Sequence, residues 1–458
     1  MDRRNFLVSA ICSTAAFLGT NFFSCGTSDK NETATKQPNI LLIVSDDTGW
    51  ADVGYHNSEI KTPVIDKLAR EGVEFDQFYV SPVCSPTRAS LLTGRPPSRF
   101  GILGPIAMRS ALALPKDTPT LAALLKNAGY STAITGKWHL GLRPDVGPNE
   151  YGFGYSYGYL HGQIDQYTHY YKNGDQSWHR NGEFINEEGH ATDLITDEAI
   201  RFMKDLRDKT KPFFLYVPYS VPHYPLQEED KWTKPYDGII DNESRRLFAA
   251  SMTHMDDSIG RLLAALKELN IEENTLVIYI SDNGGQENWT PTFEYDGKFA
   301  ANDRLGNNLP LRDWKGTLYE GGIRVPACMY WPGRLEKQKI SVPLTVCDIY
   351  PTLAFLAGIA VPENAAVEGD NIWSVVSGGS IPDNRVFYWR TENQQAFRKG
   401  DWKLVHNGAT PQEGENELFN IAEDPYETRN LAEGNPSKLS KLIEELKKQF
   451  SMDAPISE

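Results

Sequence analysis

The sequence predicts a doubly wound α/β domain, a mixed sheet with helices on both faces, followed by a smaller α+β domain with an antiparallel sheet. Three observations lead there. The runs Ile40-Leu41-Leu42-Ile43-Val44 and Leu276-Val277-Ile278-Tyr279-Ile280 are unbroken and largely branched-aliphatic, the pattern of strands buried on both faces of a parallel sheet. Segments with helical apolar spacing alternate with such runs, as in successive strand–helix–strand units. Beyond Leu335 the texture changes to short strand-like segments parted by turns.

Residues 1–25 open with Arg3-Arg4, continue mostly apolar through 6–23 and end at Ser24-Cys25. This is the grammar of an export signal; Thr20, Asn21 and several serines dilute it too far for a spanning helix. Arg3-Arg4-Asn5-Phe6-Leu7 resembles a twin-arginine signal, and Cys25 follows a loose lipoprotein cleavage pattern, with ordinary secretory cleavage as the alternative. Residues 26–37 are polar and lack apolar periodicity, so they read as a tether. A periplasmic protein, or one lipid-anchored at a bacterial outer membrane or cell surface, is expected.

The body is predicted to run from 38 to 335. Its first strand, 40–44, ends in Ser45-Asp46-Asp47. A helix over 62–71 carries Val64, Ile65, Leu68 and Ala69 on one side and stops at Gly72. A second helix covers 118–127. The strand 131–135 leads into Gly136-Lys137-Trp138-His139-Leu140-Gly141. Residues 151–178 are dense in aromatics with interleaved glycines, which predicts a loop-rich insertion near the site, its rings packing on sugars or in the core. A helix over 193–207, a strand over 212–217 ending near His223, and a long helix over 241–269 with an apolar stripe follow. The strand 276–280 ends in Ser281-Asp282-Asn283-Gly284-Gly285. In the second domain, 336–458, strands are expected at 386–390, 396–398 and 402–406, and an amphipathic helix at 436–450.

Forty-six Lys and Arg against 61 Asp and Glu give a net charge of −15, which excludes general nucleic-acid binding and a polybasic membrane surface. An anionic substrate needs a local basic pocket. Of five cysteines, only Cys84, Cys328 and Cys347 lie in the body, too few and too odd for a disulfide framework, although a Cys328–Cys347 bridge is open.

Chemistry concentrates at Cys84-Ser85-Pro86-Thr87-Arg88, followed by Ala89-Ser90-Leu91-Leu92-Thr93-Gly94-Arg95. Pro82 and Pro86 place Cys84 on a turn, and Ala89 to Leu92 read as the start of a helix whose N-terminus favours negative charge. Arg88, one turn on, can reach back. A nucleophile fits; a buried structural thiol fits as well, and residues downstream must decide. Asp46, Asp47, Asp282 and Asn283 are hard oxygen donors at two strand ends, where open α/β sheets place their ligand crevice. Such a set suits Ca²⁺ or Mg²⁺ far better than Zn²⁺, which would want His or Cys. One Asp pair alone is commonly a cap or a solvated turn; the second pair shifts the balance. Lys137, His139, His223 and Lys315 add cationic and acid/base groups that would surround an oxyanion inside an acidic protein.

The ordered set from Cys84 to Arg95, with the 136–141 motif, Asp282-Asn283-Gly284-Gly285 and the Lys315-to-Gly322 loop, resembles the type I sulfatase family, over about Pro38 to Leu431. Pro225-Leu226-Gln227, Lys234-Pro235-Tyr236 and Asn283-Gly284-Gly285-Gln286 resemble its arylsulfatase B-like, N-acetylgalactosamine-4-sulfatase-like branch. The resemblance implies an alkaline-phosphatase-like fold and conversion of Cys84 to formylglycine (3-oxoalanine) by a maturase acting on the new chain. It implies a hydrated aldehyde at 84 with one hydroxyl to attack sulfur and one to expel sulfate. His223 would protonate the leaving alcohol with Lys315 assisting, His139 would take the proton on elimination, and Arg88 and Lys137 would hold the diol. Asp46, Asp47, Asp282, Asn283 and residue 84 itself would ligate the cation. A sulfated saccharide is implied as substrate, with O4 of galactose or N-acetylgalactosamine favoured. A phosphoester or phosphonate hydrolase of the same superfamily, or an inactive protein that captures sulfated glycans, is the alternative.

Overall fold

The computed structural model describes residues 37–382 and 384–455, so the expected export signal and almost all of the tether lie outside the described residues. Asn39–Ser45 is the central strand, and its alternate side chains enter different cores: Ile40, Leu42 and Val44 on one face, Leu41 and Ile43 on the other. An unbroken apolar run is required because both faces are covered. The strand pairs in parallel with Phe213–Pro218 on one side and Thr275–Ser281 on the other. Ser131–Lys137 and Tyr155–Tyr159 continue the parallel order outward, and Ala327–Tyr330 runs antiparallel to Thr275–Ser281, within a mixed sheet of ten strands.

Helices cover both faces. Cys84–Thr93, Leu121–Asn127 and Ile349–Leu356 bring Leu91, Leu92, Leu125 and Leu353 to the first core. Pro63–Glu71, Ala191–Arg201 and Glu243–Glu268 bring Leu68, Ile195, Met255 and Ile259 to the second. Each such side chain, fully buried, contributes roughly 1.5–3 kcal/mol. The carboxyl ends of the four central parallel strands deliver Asp46-Asp47, His139, His223 and Asp282-Asn283 to one edge of the sheet.

Four expectations differ from what the structure holds. The 151–178 stretch is not a loop-rich insertion throughout: Tyr155–Tyr159 is a sheet strand, Trp178–Arg180 pairs with it, and Tyr157, Tyr159 and Trp178 are core residues. The turn from the large body to the small sheet comes later than 335, because Gln338–Ile340 pairs with Val73–Phe75 and Ile349–Leu356 packs in the first core. The small sheet has four antiparallel strands, Glu413–Asn420 being the added one; its Glu-rich sequence lacks the apolar alternation that marks a strand. Cys328 and Cys347 are both free, buried thiols.

His254 of the helix Glu243–Glu268 is the centre of an ionic cluster in which it and Glu228 are buried and Asp193 is half-exposed. His254 Nδ1 lies 2.8 Å from Glu228 Oε2, its Nε2 lies 3.4 Å from Asp193 Oδ2, and Trp232 stacks on its ring. Burial works against the imidazolium, but the hydrogen bonds and charges of Asp193 and Glu228 overcome it and hold His254 up at about 9. The unfolded imidazole titrates near its ordinary ~6.5, so this stabilisation is complete below that pH and is lost as pH rises to about 9. The melting temperature is therefore expected to fall over this window, and His254→Gln to flatten the fall; thermal melts across the pH series check it.

Candidate active site

Cys84 is the first residue of the helix Cys84–Thr93, not a turn residue ahead of it, and the whole helix is buried. Pro86 is accommodated because the first helical turn has no acceptor for the N–H that proline lacks. Thr87 fastens the entry, its Oγ1 accepting from Ser81 N–H at 2.9 Å. Burial pushes the Cys84 thiol up despite Lys137 and Lys315, so at neutral pH it is not a thiolate. This disfavours a plain cysteine nucleophile.

Asp46, Asp47, Asp282 and Asn283 converge as expected. Asp282 Oδ1 accepts from Asp47 N–H at 3.2 Å, and Asn283 Nδ2 donates to Asp47 Oδ1 at 2.8 Å. Ligand atoms of Asp46, Cys84 and Asp282 lie within 4.8 Å of one another. Arg88 Nη2 meets Asp282 Oδ2 at 2.6 Å, and Lys137 Nζ meets Asp46 Oδ2 at 2.5 Å, with all four side chains fully buried. Two oxygens in this cage, Asp46 Oδ1 and Asn283 Oδ1, are buried with no hydrogen-bond partner. Burial and the charge of Asp282 push Asp46 up to about 8 even with Lys137 beside it. Orphaned oxygens and a carboxylate resisting ionisation are what an oxygen cage built for a hard cation displays. The donor set fits a divalent ion of the Ca²⁺ or Mg²⁺ kind.

Lys315 and His223 close the other side. Lys315 Nζ contacts both Asp47 oxygens, at 2.6 and 2.8 Å, and His223 Nε2 lies 3.8 Å from Asp47 Oδ2. Burial and Lys315 hold His223 down at about 3, while Lys315 is raised as its carboxylate neighbours outweigh its burial. His223 Nδ1 donates to Tyr224 O at 2.6 Å, so Nε2 is the nitrogen turned to the site. Burial against desolvated imidazolium, with Lys137 and Arg88 near, keeps His139 well below its ordinary value. His139 Nε2 lies 3.2 Å from Ile106 O, and its Nδ1 is buried without a partner. The backbone of His139 is left-handed (φ 57°), and a Cβ on Gly162 would stand 2.5 Å from its ring, so that glycine is what lets the imidazole lie flat there.

Cys84, His139, His223 and Lys315 line one cavity of about 430 Å³. Sequence reasoning did not single out several of its other walls, among them Gln163, Lys172 and Trp289. Trp289 stacks on Tyr224 with ring centroids 4.9 Å apart and stands 5.8 Å from His223. It lies four residues beyond the Asp282-Asn283-Gly284-Gly285 motif, and that proximity was the available signal. Of the aromatics in 151–178, Tyr171 alone lines the cavity.

Comparison with known proteins places this geometry among relatives. Residues 38–359 match the family described as Sulfatase, and residues 313–454 match the one described as N-sulphoglucosamine sulphohydrolase, C-terminal. The chain is 34% identical to arylsulfatase J of Mus musculus over 92% of its own length and 77% of that protein's. It is 33% identical to N-acetylgalactosamine-6-sulfatase of Canis lupus familiaris, with 81% and 72% covered. Among solved structures it resembles Ps i-CgsB in complex with k-i-k-neocarrahexaose, at 33% identity and a TM-score of 0.82, with 92% and 94% covered.

Proposed function

The chain belongs to the sulfatase family and is a sulfuric ester hydrolase, and from that premise we propose an exported carbohydrate sulfatase acting through a formylglycine made from Cys84. The observation that carries the reading is the setting of Cys84: the first residue of a buried helix, between the oxygen cage and the His139, His223 and Lys315 walls of one cavity. Converted and hydrated, residue 84 would supply one hydroxyl to attack sulfur and a second whose proton is lost as sulfate leaves. Asp46, Asp47, Asp282, Asn283 and residue 84 would hold a cation, Ca²⁺ in this reading, to supply positive charge to the sulfate oxygens.

The chain's own groups divide the proton work. His139 is neutral, with one nitrogen unpartnered, and is suited to take a proton from residue 84. In the free site the proton of the His223–Lys315 pair rests on Lys315. An anionic sulfate ester between them would favour uptake of a solvent proton at His223 Nε2, which passes to the leaving alcohol oxygen as its bond to sulfur breaks, with Lys315 beside it. Arg88 and Lys137 pair with Asp282 and Asp46 and would hold residue 84 from behind.

The sugar is read from relatives. The 4-position of galactose or N-acetylgalactosamine rests on short motifs, whereas several mammalian relatives, the canine one among them, bear the name N-acetylgalactosamine-6-sulfatase. A galactose-configured sugar is the part common to both, and a panel of 4- and 6-sulfated regioisomers separates the positions. Maturation by a formylglycine-generating enzyme would precede export to the periplasm or to a lipid anchor at Cys25.

In protein from cells with the maturation machinery, the peptide bearing residue 84 is expected at the formylglycine mass. Sulfate, and neither phosphate nor phosphonate, is the expected product, which separates this reading from its superfamily rivals. An unmodified thiol throughout active protein would sink the mechanism, and an unmodified thiol in protein that binds sulfated glycans without releasing sulfate would favour a glycan-capturing role. Asp282→Asn removes a charge shared by Arg88 and the cage and is expected to weaken Ca²⁺ binding about tenfold or more. Calorimetric titration of chelator-stripped protein checks this, with sulfate release falling in parallel.

A further inference from the structure

The cavity over Cys84 adjoins a second cleft of about 560 Å³ across Pro105, which lies in the walls of both. One side of that cleft is the catalytic body, at Leu103, Pro105 and Thr317; the other is the turn Thr391, Glu392, Asn393 of the C-terminal sheet. We propose, resting on the sulfatase reading above, that the second cleft binds the sugar next to the sulfated one, and that it accepts a neutral sugar and rejects a uronate or a second sulfated residue.

Charge carries the argument. No Lys, Arg or His lines the second cleft among the described residues, and its one ionisable lining group, Glu392, is an exposed carboxylate. An anionic sugar seated there would meet like charge with no cation to offset its desolvation. Hydroxyl, amide and backbone groups remain, which suit the hydroxyls of a neutral sugar. The first cavity agrees. Outside the catalytic set its cation is Lys172, and that is already paired with Glu294 Oε1 at 2.5 Å, while Gln163 Nε2 donates to Glu294 Oε2 at 2.9 Å. A compensated Lys–Glu pair serves neighbouring hydroxyls, one donating and one accepting, better than a second anion.

The turn is held in place before any ligand arrives. Thr391 Oγ1 accepts from Gln394 N–H at 3.0 Å, Gln394 Oε1 accepts from Leu318 N–H at 3.1 Å, and Gln394 Nε2 donates to Asn407 Oδ1 at 2.7 Å. Leu318 lies on the loop that carries Lys315, so the second cleft is tied to the catalytic loop and little ordering is left for binding.

The test compares sulfate release from three substrates sharing one sulfated hexose: the monosaccharide, its disaccharide with a neutral hexose, and its disaccharide with a hexuronate, with the sulfated sugar at either end. The neutral disaccharide is expected to exceed the monosaccharide about tenfold in kcat/KM, and the uronate disaccharide to fall below the monosaccharide. Glu392→Lys is expected to raise the uronate substrate about tenfold and leave the monosaccharide unchanged. Equal rates on all three, or a uronate rate unmoved by Glu392→Lys, overturn the subsite and leave the sulfatase reading standing. Release from none of the three, with the hexose sulfated at position 4 and at position 6 in turn, overturns both the subsite and the galactose-sulfate reading on which it rests.

Discussion

Cys84→Ala abolishes sulfate release, with kcat expected to fall by at least about 10⁴-fold while the melting temperature stays close to that of the parent. The two halves of this expectation have separate causes. Only the side chain at 84 can become the aldehyde, and no other group in the cavity can take its place: His139, His223 and Lys315 move protons or hold charge, and the carboxylates are occupied by Arg88, Lys137 and Lys315. Structure at 84 depends little on sulfur. Alanine is a good helix former, the entry is fastened by Thr87 and not by the thiol, and the Cys84 thiol is not an ion that a partner must satisfy. Measuring inorganic sulfate, with a thermal melt on the same sample, checks both halves. Turnover near the parent's would defeat the assignment, and a collapsed melt would show that the thiol supports the fold.

Much of the site was legible because its chemistry sits where the chain announces a change of element. Asp46-Asp47 and Asp282-Asn283 each follow an unbroken apolar run, and a parallel sheet brings such ends together irrespective of the 235 residues separating Asp47 from Asp282. Cys84 was placed correctly beside a helix but one turn too early, since Pro86 reads as a breaker until one notices that a first turn tolerates it. What stayed hidden depends on pairing across the chain. Tyr155–Tyr159 looks like a loop because glycines interrupt its aromatics, yet Gly158 is where the chain passes so close to Gly136 that a Cβ would stand 2.2 Å from the Gly136 carbonyl oxygen. His254 on a long amphipathic helix shows no signal of its own, because its partners Asp193 and Glu228 come from two other segments. The same holds for Lys403, a charged residue whose burial no local pattern foretells.

Lys403→Met is expected to destabilise the protein by about 3–5 kcal/mol, the cost of leaving buried charge without its partner. Lys403 lies on Trp402–Thr410, next to Leu404, which faces the terminal helix, so its own side chain points to the catalytic body. There its Nζ meets Glu320 Oε1 at 2.9 Å and Glu427 Oε1 at 2.8 Å, all three side chains being fully buried. Glu427 Oε2 also accepts from Glu320 N–H at 2.7 Å, and Glu320 opens the short helix Glu320–Ile323 that ends the Lys315 loop. Without Lys403 two carboxylates face each other in the interface. Burial already pushes Glu427 up to about 7 in the presence of Lys403, against an ordinary value near 4.5. A carboxyl raised on folding binds its proton more tightly in the folded state, so stability falls as pH rises from about 4.5 through 7, and the variant moves that fall further up. Its melting temperature should therefore lie furthest below the parent's at pH 8 and recover toward pH 5, within roughly the window its carboxyl sets. Adding Glu427→Gln removes one of the facing charges and should restore part of the loss at pH 8 and little at pH 5. Sulfate release should follow the same order, because the loop that presents Lys315 is clamped through Glu320. A single variant within about 1 kcal/mol of the parent at every pH would mean that the interface is wet enough to screen the pair, and the clamp would then rest on the apolar cluster that includes Tyr79, Phe387 and Trp389 and on the Tyr319–Glu417 hydrogen bond.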